Sequence, residues 1–334
     1  MIRWSLILLA ALSEKEVEEK RKEDAKWYKK ELEKEVRVTP TLKQEKKVIE
    51  KTFEEMQKEL APIRDSAPKQ PTLAERMEAG TANFKNMARN AIDNTIGLGI
   101  AKVQNFKTKR HFKKNPESKE QIGYLMHGLF QNEGSQWRLA RDLRKAGHQP
   151  YHLKGNHGLP RKESVQKAYD QIEAFHKATG MKNPGSRNDY FSGHSSGADV
   201  GVYMAADYKT QQYGIQKIQA RAPAPTGLKT VTFGQKLLLP FANDDNTNTY
   251  HGRRSAVQLS KRSPKIPVQV VAGRYDGLVR PVDAAYKQAS AHYFIDDKAS
   301  THFGTSGGNK DMNRITIDLL NKQEKRYVQE YQEA

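Results

Sequence analysis

The stretch Phe191-Ser192-Gly193-His194-Ser195-Ser196-Gly197-Ala198 sets a serine between two glycines in G-x-S-x-G spacing. That spacing suits a sharp strand-to-helix turn that pushes a nucleophilic hydroxyl out over a sheet edge. Gly193 and Gly197 would remove the side chains that collide at such an elbow. The helix that follows would aim its first N–H groups at a developing negative charge. The chemistry on offer is acyl transfer through Ser195. A bare motif of this kind also describes an ordinary glycine-rich turn, so its partners decide.

Upstream, the apolar run Ile122-Gly123-Tyr124-Leu125-Met126 leads straight into His127-Gly128-Leu129-Phe130. An amide just after such a His-Gly pair can donate to an oxyanion, which nominates the backbone N–H groups of Leu129 and Ser196. Downstream, the apolar run Ile266 to Ala272 ends in Gly273-Arg274-Tyr275-Asp276-Gly277. Asp276 follows that strand immediately, where an acid can orient a histidine; Asp283, Asp296 and Asp297 compete for the role. The base is expected later in the chain, which leaves His292 and His302. His302 occupies the polar loop Ser300-Thr301-His302-Phe303-Gly304 after the apolar Tyr293-Phe294-Ile295, whereas His292 precedes that strand and belongs at its opposite end. The expected catalytic set is therefore Ser195, Asp276 and His302.

Elements must carry these residues. Short apolar runs at 122–126, 150–153, 189–192, 215–220 and 268–272 predict strands, and stretches at 136–145, 162–179, 197–208 and 310–321 predict helices between them. That alternation is the pattern of a parallel sheet covered by helices. From Ser13 to about Leu60, Glu and Lys alternate with sparse apolar residues, which reads as one or two exposed helices interrupted at Pro40. Pro62, Pro68 and Pro71 read as a linker, 73–107 as a helix able to pack on the main domain, and the basic run Lys107 to Lys114 as solvated chain. The expected division is a short apolar segment at 1–13, a charged helical extension at 14–115 and an α/β domain at 116–334.

With 36% apolar and 29% charged residues, the composition suits one globular core with a polar appendage. A net charge of +18 attracts anionic surfaces. No zinc-finger spacing, RNP-like aromatic run or Walker-type loop accompanies the lysines, so specific nucleic-acid binding is not expected. The absence of cysteine excludes disulfides, thiolate metal sites and a cysteine nucleophile. The apolar run Trp4 to Leu12 is too short to span a bilayer; behind Arg3 it loosely imitates a secretory signal, an interfacial membrane anchor or a buried first turn being the other readings. The expected location is accordingly cytoplasmic or peripheral to a membrane, with secretion as the alternative.

From about Lys119 onward the chain resembles the α/β-hydrolase superfamily, lipase and esterase branch. Tyr124-Leu125-Met126-His127-Gly128-Leu129, Trp137-Arg138-Leu139-Ala140-Arg141-Asp142-Leu143 and Ala146-Gly147-His148 are similar to that branch's oxyanion strand and first helix. The resemblance implies an α/β-hydrolase fold with an eight-stranded, mostly parallel sheet and helices on both faces. It also implies a triad of Ser195, Asp276 and His302 and no cofactor. Lys154-Gly155-Asn156-His157-Gly158 departs in composition from the glycine-rich turn of that fold, and the strand before Ser195 is short. The segment 221–265 falls where such folds insert a cap. The expected activity is cleavage of small carboxylic esters, with peptidase, thioesterase, acyltransferase or a non-catalytic membrane-associated scaffold as alternatives. His148, His152 and His157 cluster as metal ligands do, but no carboxylate lies among them, so no metal is expected.

Overall fold

The computed structural model describes residues 40–129, 131–155, 160–225, 250–321 and 328–332. The apolar segment 1–13, the charged stretch through residue 39, residues 156–158 of the glycine-rich turn and residues 226–249 of the expected cap lie outside that set. Contacts divide the chain into two units, Met1–Thr52 and Phe53–Ala334, and the sheet belongs to the second.

Four helices come first: α1 (Pro40–Glu59), α2 (Ala61–Asp65), α3 (Leu73–Thr95) and α4 (Gly97–Lys114). There follow β1 (Ile122–Met126), α5 (Trp137–Lys145), β2 (Gln149–Leu153), α6 (Arg161–Thr179), β3 (Asp189–His194), α7 (Ser196–Ala205) and α8 (Lys209–Gln212). The chain ends with β4 (Ile215–Arg221), α9 (Tyr250–Ser260), β5 (Val268–Gly273), β6 (Ala291–Ile295), α10 (Lys310–Asn321) and β7 (Val328–Gln332). All seven described strands are parallel, in the order β2-β1-β3-β4-β5-β6-β7. The mostly parallel sheet with helices on both faces is therefore observed; in place of the eight strands the resemblance implies, the described residues hold seven, and residues 73–114 before β1 are helical.

Parallel strands are covered on both faces, and period-two alternation assigns side chains to each. Tyr124, Met126, Phe191, Ile218, Ala220, Val268 and Val270 form one core with Ile172 and Phe175 of α6 and Ala198 and Val202 of α7. On the other face, Leu125 and Tyr190 pack with Leu139 and Leu143 of α5, and Val271, Tyr293 and Ile295 pack with Met312, Ile315 and Leu319 of α10. This second face also buries Ser192, Gln219, Gln269 and Arg221. Gln219 and Gln269 donate to the Thr316 and Leu319 carbonyls at 2.9 and 2.8 Å, tying α10 to the sheet by side-chain hydrogen bonds.

Residues 53–115 are not a detached appendage. Arg64 of α2 donates to the Val282 carbonyl at 3.1 Å, and Ala67 and Pro68 are buried, so the segment read as a linker is packed. Helix α3 opens with a capping box in which Thr72 and Glu75 bond reciprocally. Its Asp93, buried, accepts from Trp137 Nε1 at 2.7 Å and from Arg138 Nε at 3.1 Å. Asn105 of α4 bonds both the N–H and the carbonyl of His152, extending a side-chain ladder along the β2 edge. The basic run 107–114, read as solvated chain, is instead the last two turns of α4, with Phe112 in the core and Thr108 donating to the Pro150 carbonyl at 2.7 Å.

Three histidines are core residues. His152 meets Gln104 Oε1 at 2.8 Å, His176 meets the Tyr124 hydroxyl at 2.8 Å, and His292 accepts from the Tyr286 amide at 3.2 Å. His292 is thereby removed as a candidate base. Among the described residues no group of metal-ligating side chains assembles.

Replacing Asp93 by Ala leaves the Trp137 and Arg138 donors without their acceptor and is expected to cost about 3 kcal/mol in urea unfolding. Stability is also expected to fall with acidification. Burial holds His152 at about 3 and His176 and His292 at about 4, so these rings stay neutral in the fold while the unfolded chain takes up protons near pH 6.5. Lowered folded-state values stabilise above the unfolded value and lose that contribution as pH falls from about 6.5 toward 4, at up to about 1.4 kcal/mol per pH unit for each ring. Urea midpoints at pH 7 and pH 5 measure it; equal midpoints would contradict the assignment of these rings as buried and neutral.

Candidate active site

Ser195 terminates β3 and opens α7 with φ 53° and ψ −123°. Positive φ is costly for a residue with a Cβ, and it turns the serine side chain away from both flanking elements. The Ser195 amide donates to the Arg221 carbonyl at 2.8 Å, so β4 holds the turn from one side. Gly197 is pressed against β1: a Cβ there would lie 2.6 Å from both the Met126 and the His127 carbonyl oxygens. A Cβ on Gly193 would overlap the Gly197 carbonyl. Both elbow glycines are therefore required by close backbone approach.

The loop after β1 closes over the same point. A Cβ on Gly128 would stand 2.8 Å from Ser195 Cβ, so this glycine lets the His-Gly loop reach the serine. The Gly128 amide donates to Gln131 Oε1 at 2.9 Å. His127 Nδ1 lies 3.0 Å from the Gly128 carbonyl, and its Nε2 accepts from the Gly155 amide at 3.0 Å. These bonds fix the turn that presents Leu129, whose amide has no acceptor among the described residues. Ser196 Oγ accepts from Arg161 at 2.9 Å, and Arg161 in turn pairs with the buried Asp199 at 2.8 Å, bracing the first turn of α7.

Asp276 and His302 meet at 2.8 Å between Oδ2 and Nδ1. Asp276 is buried, and its other oxygen accepts from the amides of Leu278 and Val279 at 2.9 and 2.8 Å. A carboxylate only accepts, so Nδ1 of His302 carries the proton and Nε2 presents a lone pair. The competing acids are engaged elsewhere: Asp283 pairs with Arg280, Asp296 with Arg274, and Asp297 caps the turn at Ala299.

His194, the residue before the serine, lies with its ring centroid 4.7 Å from that of His302, and its Nε2 donates to the His302 carbonyl at 2.9 Å. The structure thus brings the loop after β6 to the elbow after β3. Burial, with the nearby His302 and Arg221, holds His194 well below the usual histidine range, so it acts as a neutral strut. Arg221 donates to the Thr305 carbonyl at 2.7 Å and to Ser192 Oγ at 3.2 Å, anchoring the same loop from the sheet. Asn86 of α3 reaches the Ala299 carbonyl and Thr301 Oγ1, and Asn90 reaches Ser306 Oγ. Sequence reasoning missed His194, Gln131, Arg221 and these asparagines, since nothing in their spacing marks them; only the placement of His194 inside the motif hints at proximity.

The serine follows β3, the His-Gly loop β1, the aspartate β5 and the histidine β6, all at the C-terminal ends of a parallel sheet ordered β2-β1-β3-β4-β5-β6-β7. This is the α/β-hydrolase fold. No family model and no curated protein matches the sequence. Among solved structures the chain is similar to a thioesterase domain from the curacin biosynthetic pathway, with 14% identity, a TM-score of 0.40 and coverage of 62% of this chain and 92% of that one. It is similar also to the enol-lactonase of Burkholderia xenovorans LB400, with 14% identity, TM-score 0.42 and coverage of 61% and 93%. A fungal esterase from Rhizomucor miehei gives 14% identity, TM-score 0.43 and coverage of 61% and 75%.

In this α/β-hydrolase fold the elbow backbone is strained by an amount that substitution can release. Ser195→Gly accommodates φ 53° without a Cβ, and the relief exceeds the added entropy of the unfolded glycine, so a stabilisation of about 1 kcal/mol is expected in thermal or urea unfolding. Destabilisation by this change would refute the strained turn.

Proposed function

We propose that the chain is a serine hydrolase that cleaves carboxylic esters through an acyl-enzyme on Ser195. The observation carrying this reading is the His302–Asp276 hydrogen bond of 2.8 Å on a loop tied by His194 to the elbow of a positive-φ serine. Asp276 fixes the tautomer in which His302 Nε2 can accept a proton, which is what a general base needs.

In the first half-reaction, Ser195 Oγ attacks the ester carbonyl carbon while His302 Nε2 takes the hydroxyl proton. Negative charge collects on the carbonyl oxygen, where the amides of Leu129 and Ser196 are assigned as donors. The intermediate collapses, the alkoxy group leaves with the proton from His302, and the acyl group stays on Ser195. Water then attacks the acyl carbon, giving a proton to His302. Collapse returns that proton to Ser195 Oγ and releases the carboxylic acid. Asp276 stays ionised throughout and stabilises the imidazolium that forms twice in the cycle. No step draws on a metal or cofactor.

A fluorophosphonate probe is expected to label the wild type and leave Ser195→Ala unlabelled; equal labelling of both, or of neither, would overturn the proposal. Asp276→Asn is expected to lower kcat by about three to four orders of magnitude, since the amide can donate to Nδ1 and so favours the wrong tautomer. Hydrolysis rates across esters of graded chain length, thioesters and amides then give the substrate class.

A further inference from the structure

Helices α3 and α4 are amphipathic in the reverse sense from a helix docked on a core. Their buried positions run Ala79, Asn86, Asn90, Asp93, Gly97, Ala101, Gln104, Thr108 and Phe112, a three, four and seven residue spacing that continues through the junction of the two helices. Most of that face is polar or small. The outward positions follow the same spacing half a turn away and carry Met77, Phe84, Ile92, Ile96, Val103 and Phe106, each between 51% and 73% exposed.

Large side chains so exposed and so regularly spaced mark a surface that meets something other than water. Charge identifies the partner. Across both helices, residues 73–114, the sequence holds nine Lys and Arg against three acids, of which Glu75 pairs with Arg274, Glu78 pairs with Lys298 and Asp93 is buried. The exposed Lys85, Arg89, Lys102 and Lys107 flank the apolar positions directly. An apolar stripe edged by cations fits the interface of an anionic bilayer, where rings and aliphatic chains enter the acyl boundary and the cations meet headgroup phosphates. A nucleic-acid backbone would satisfy the cations while leaving the apolar stripe in water.

We propose that the outward face of α3 and α4 docks on an anionic lipid surface. No described helix is long and apolar enough to cross a membrane, and the face proposed here lies along the surface. The inner face of α3 bonds the loop that carries His302, so docking sets that loop one helix thickness from the lipid. The proposal is independent of the hydrolase reading.

The full-length protein is mixed with phosphatidylcholine vesicles, with and without phosphatidylserine, and bound protein is measured by flotation. Wild type is expected to bind the phosphatidylserine vesicles at least about tenfold more tightly than the neutral ones, with binding weakened by salt. The combined Phe84→Ser, Ile92→Ser, Ile96→Ser and Phe106→Ser variant is expected to lose about tenfold or more of that affinity. Its circular dichroism and activity on a soluble ester should match wild type, because every changed side chain is exposed. Ser195→Ala should bind vesicles like wild type, which separates this proposal from the catalytic one. Unchanged binding by the combined variant, or no preference for phosphatidylserine, would overturn it. So would a wild-type dimer in gel filtration that the variant abolishes while still binding vesicles, since the face would then be an interface between copies.

Discussion

Ser195 holds a backbone conformation, φ 53° and ψ −123°, that a residue with a side chain adopts only when its surroundings leave no alternative. Those surroundings are the ends of three adjacent strands. The chain passes from β1 outward to β2, then returns to the other side of β1 for β3 and continues away through β4, β5 and β6. Connections therefore diverge between β1 and β3, and a parallel sheet opens a crevice beyond its carboxyl edge at such a point. The Gly128 loop enters that crevice from β1 and the Ser195 elbow from β3, close enough that neither Gly128 nor Gly197 tolerates a Cβ. The Arg221 carbonyl on β4 receives the Ser195 amide from the far side. Strand order, glycine placement and the strained serine are one constraint seen at three scales.

Holding His302 to that point is a separate problem, because its loop enters beyond β6, three strands away from β3. The solution is a set of directional bonds through otherwise buried polar groups. His194 bonds the His302 carbonyl, Arg221 bonds the Thr305 carbonyl, and Ser192 and Gln219 continue the chain of contacts under the sheet toward α10. Arg221 is fully buried with no carboxylate partner among the described residues, and desolvation pushes its pKa down to about 9. A buried cation of that kind is expensive. Its position, between the Ser195 elbow and the His302 loop, accounts for its placement better than stability does.

The α/β half of this arrangement was legible because its backbone geometry fixes residue types. Apolar runs marked β1, β5 and β6, and Gly-x-Ser-x-Gly, His-Gly and an aspartate after a strand each name a backbone task that few other residues perform. The segment 73–107 reads as a helix able to pack on the domain and forms α3 and most of α4; which face it buries was not legible, for a physical reason. Periodicity reads a helix by its apolar stripe, and on α3 that stripe, through Phe84, Ile92 and Ile96, points outward, while Asn86, Asn90 and Asp93 point inward. Lys107 to Lys114 failed likewise: six of its eight residues are Lys, Arg or His, and the two that dock it on the domain, Thr108 and Phe112, are diluted among them.

The orientation of α3 is the opposite of what apolar burial alone selects. Turning an amphipathic helix so that one large apolar side chain leaves water gains about 1.5–3 kcal/mol, whereas a neutral hydrogen bond contributes about 1 kcal/mol net. The observed face wins because its bonds are not all neutral or interchangeable. Asp93 accepts at once from Trp137 and Arg138, and its burial would be prohibitive in any register lacking those donors. Asn86 and Asn90 donate to a carbonyl and two hydroxyl groups of the loop that carries His302. Polar specificity therefore sets which way α3 faces, and the apolar residues left outside are a consequence that a second surface can use.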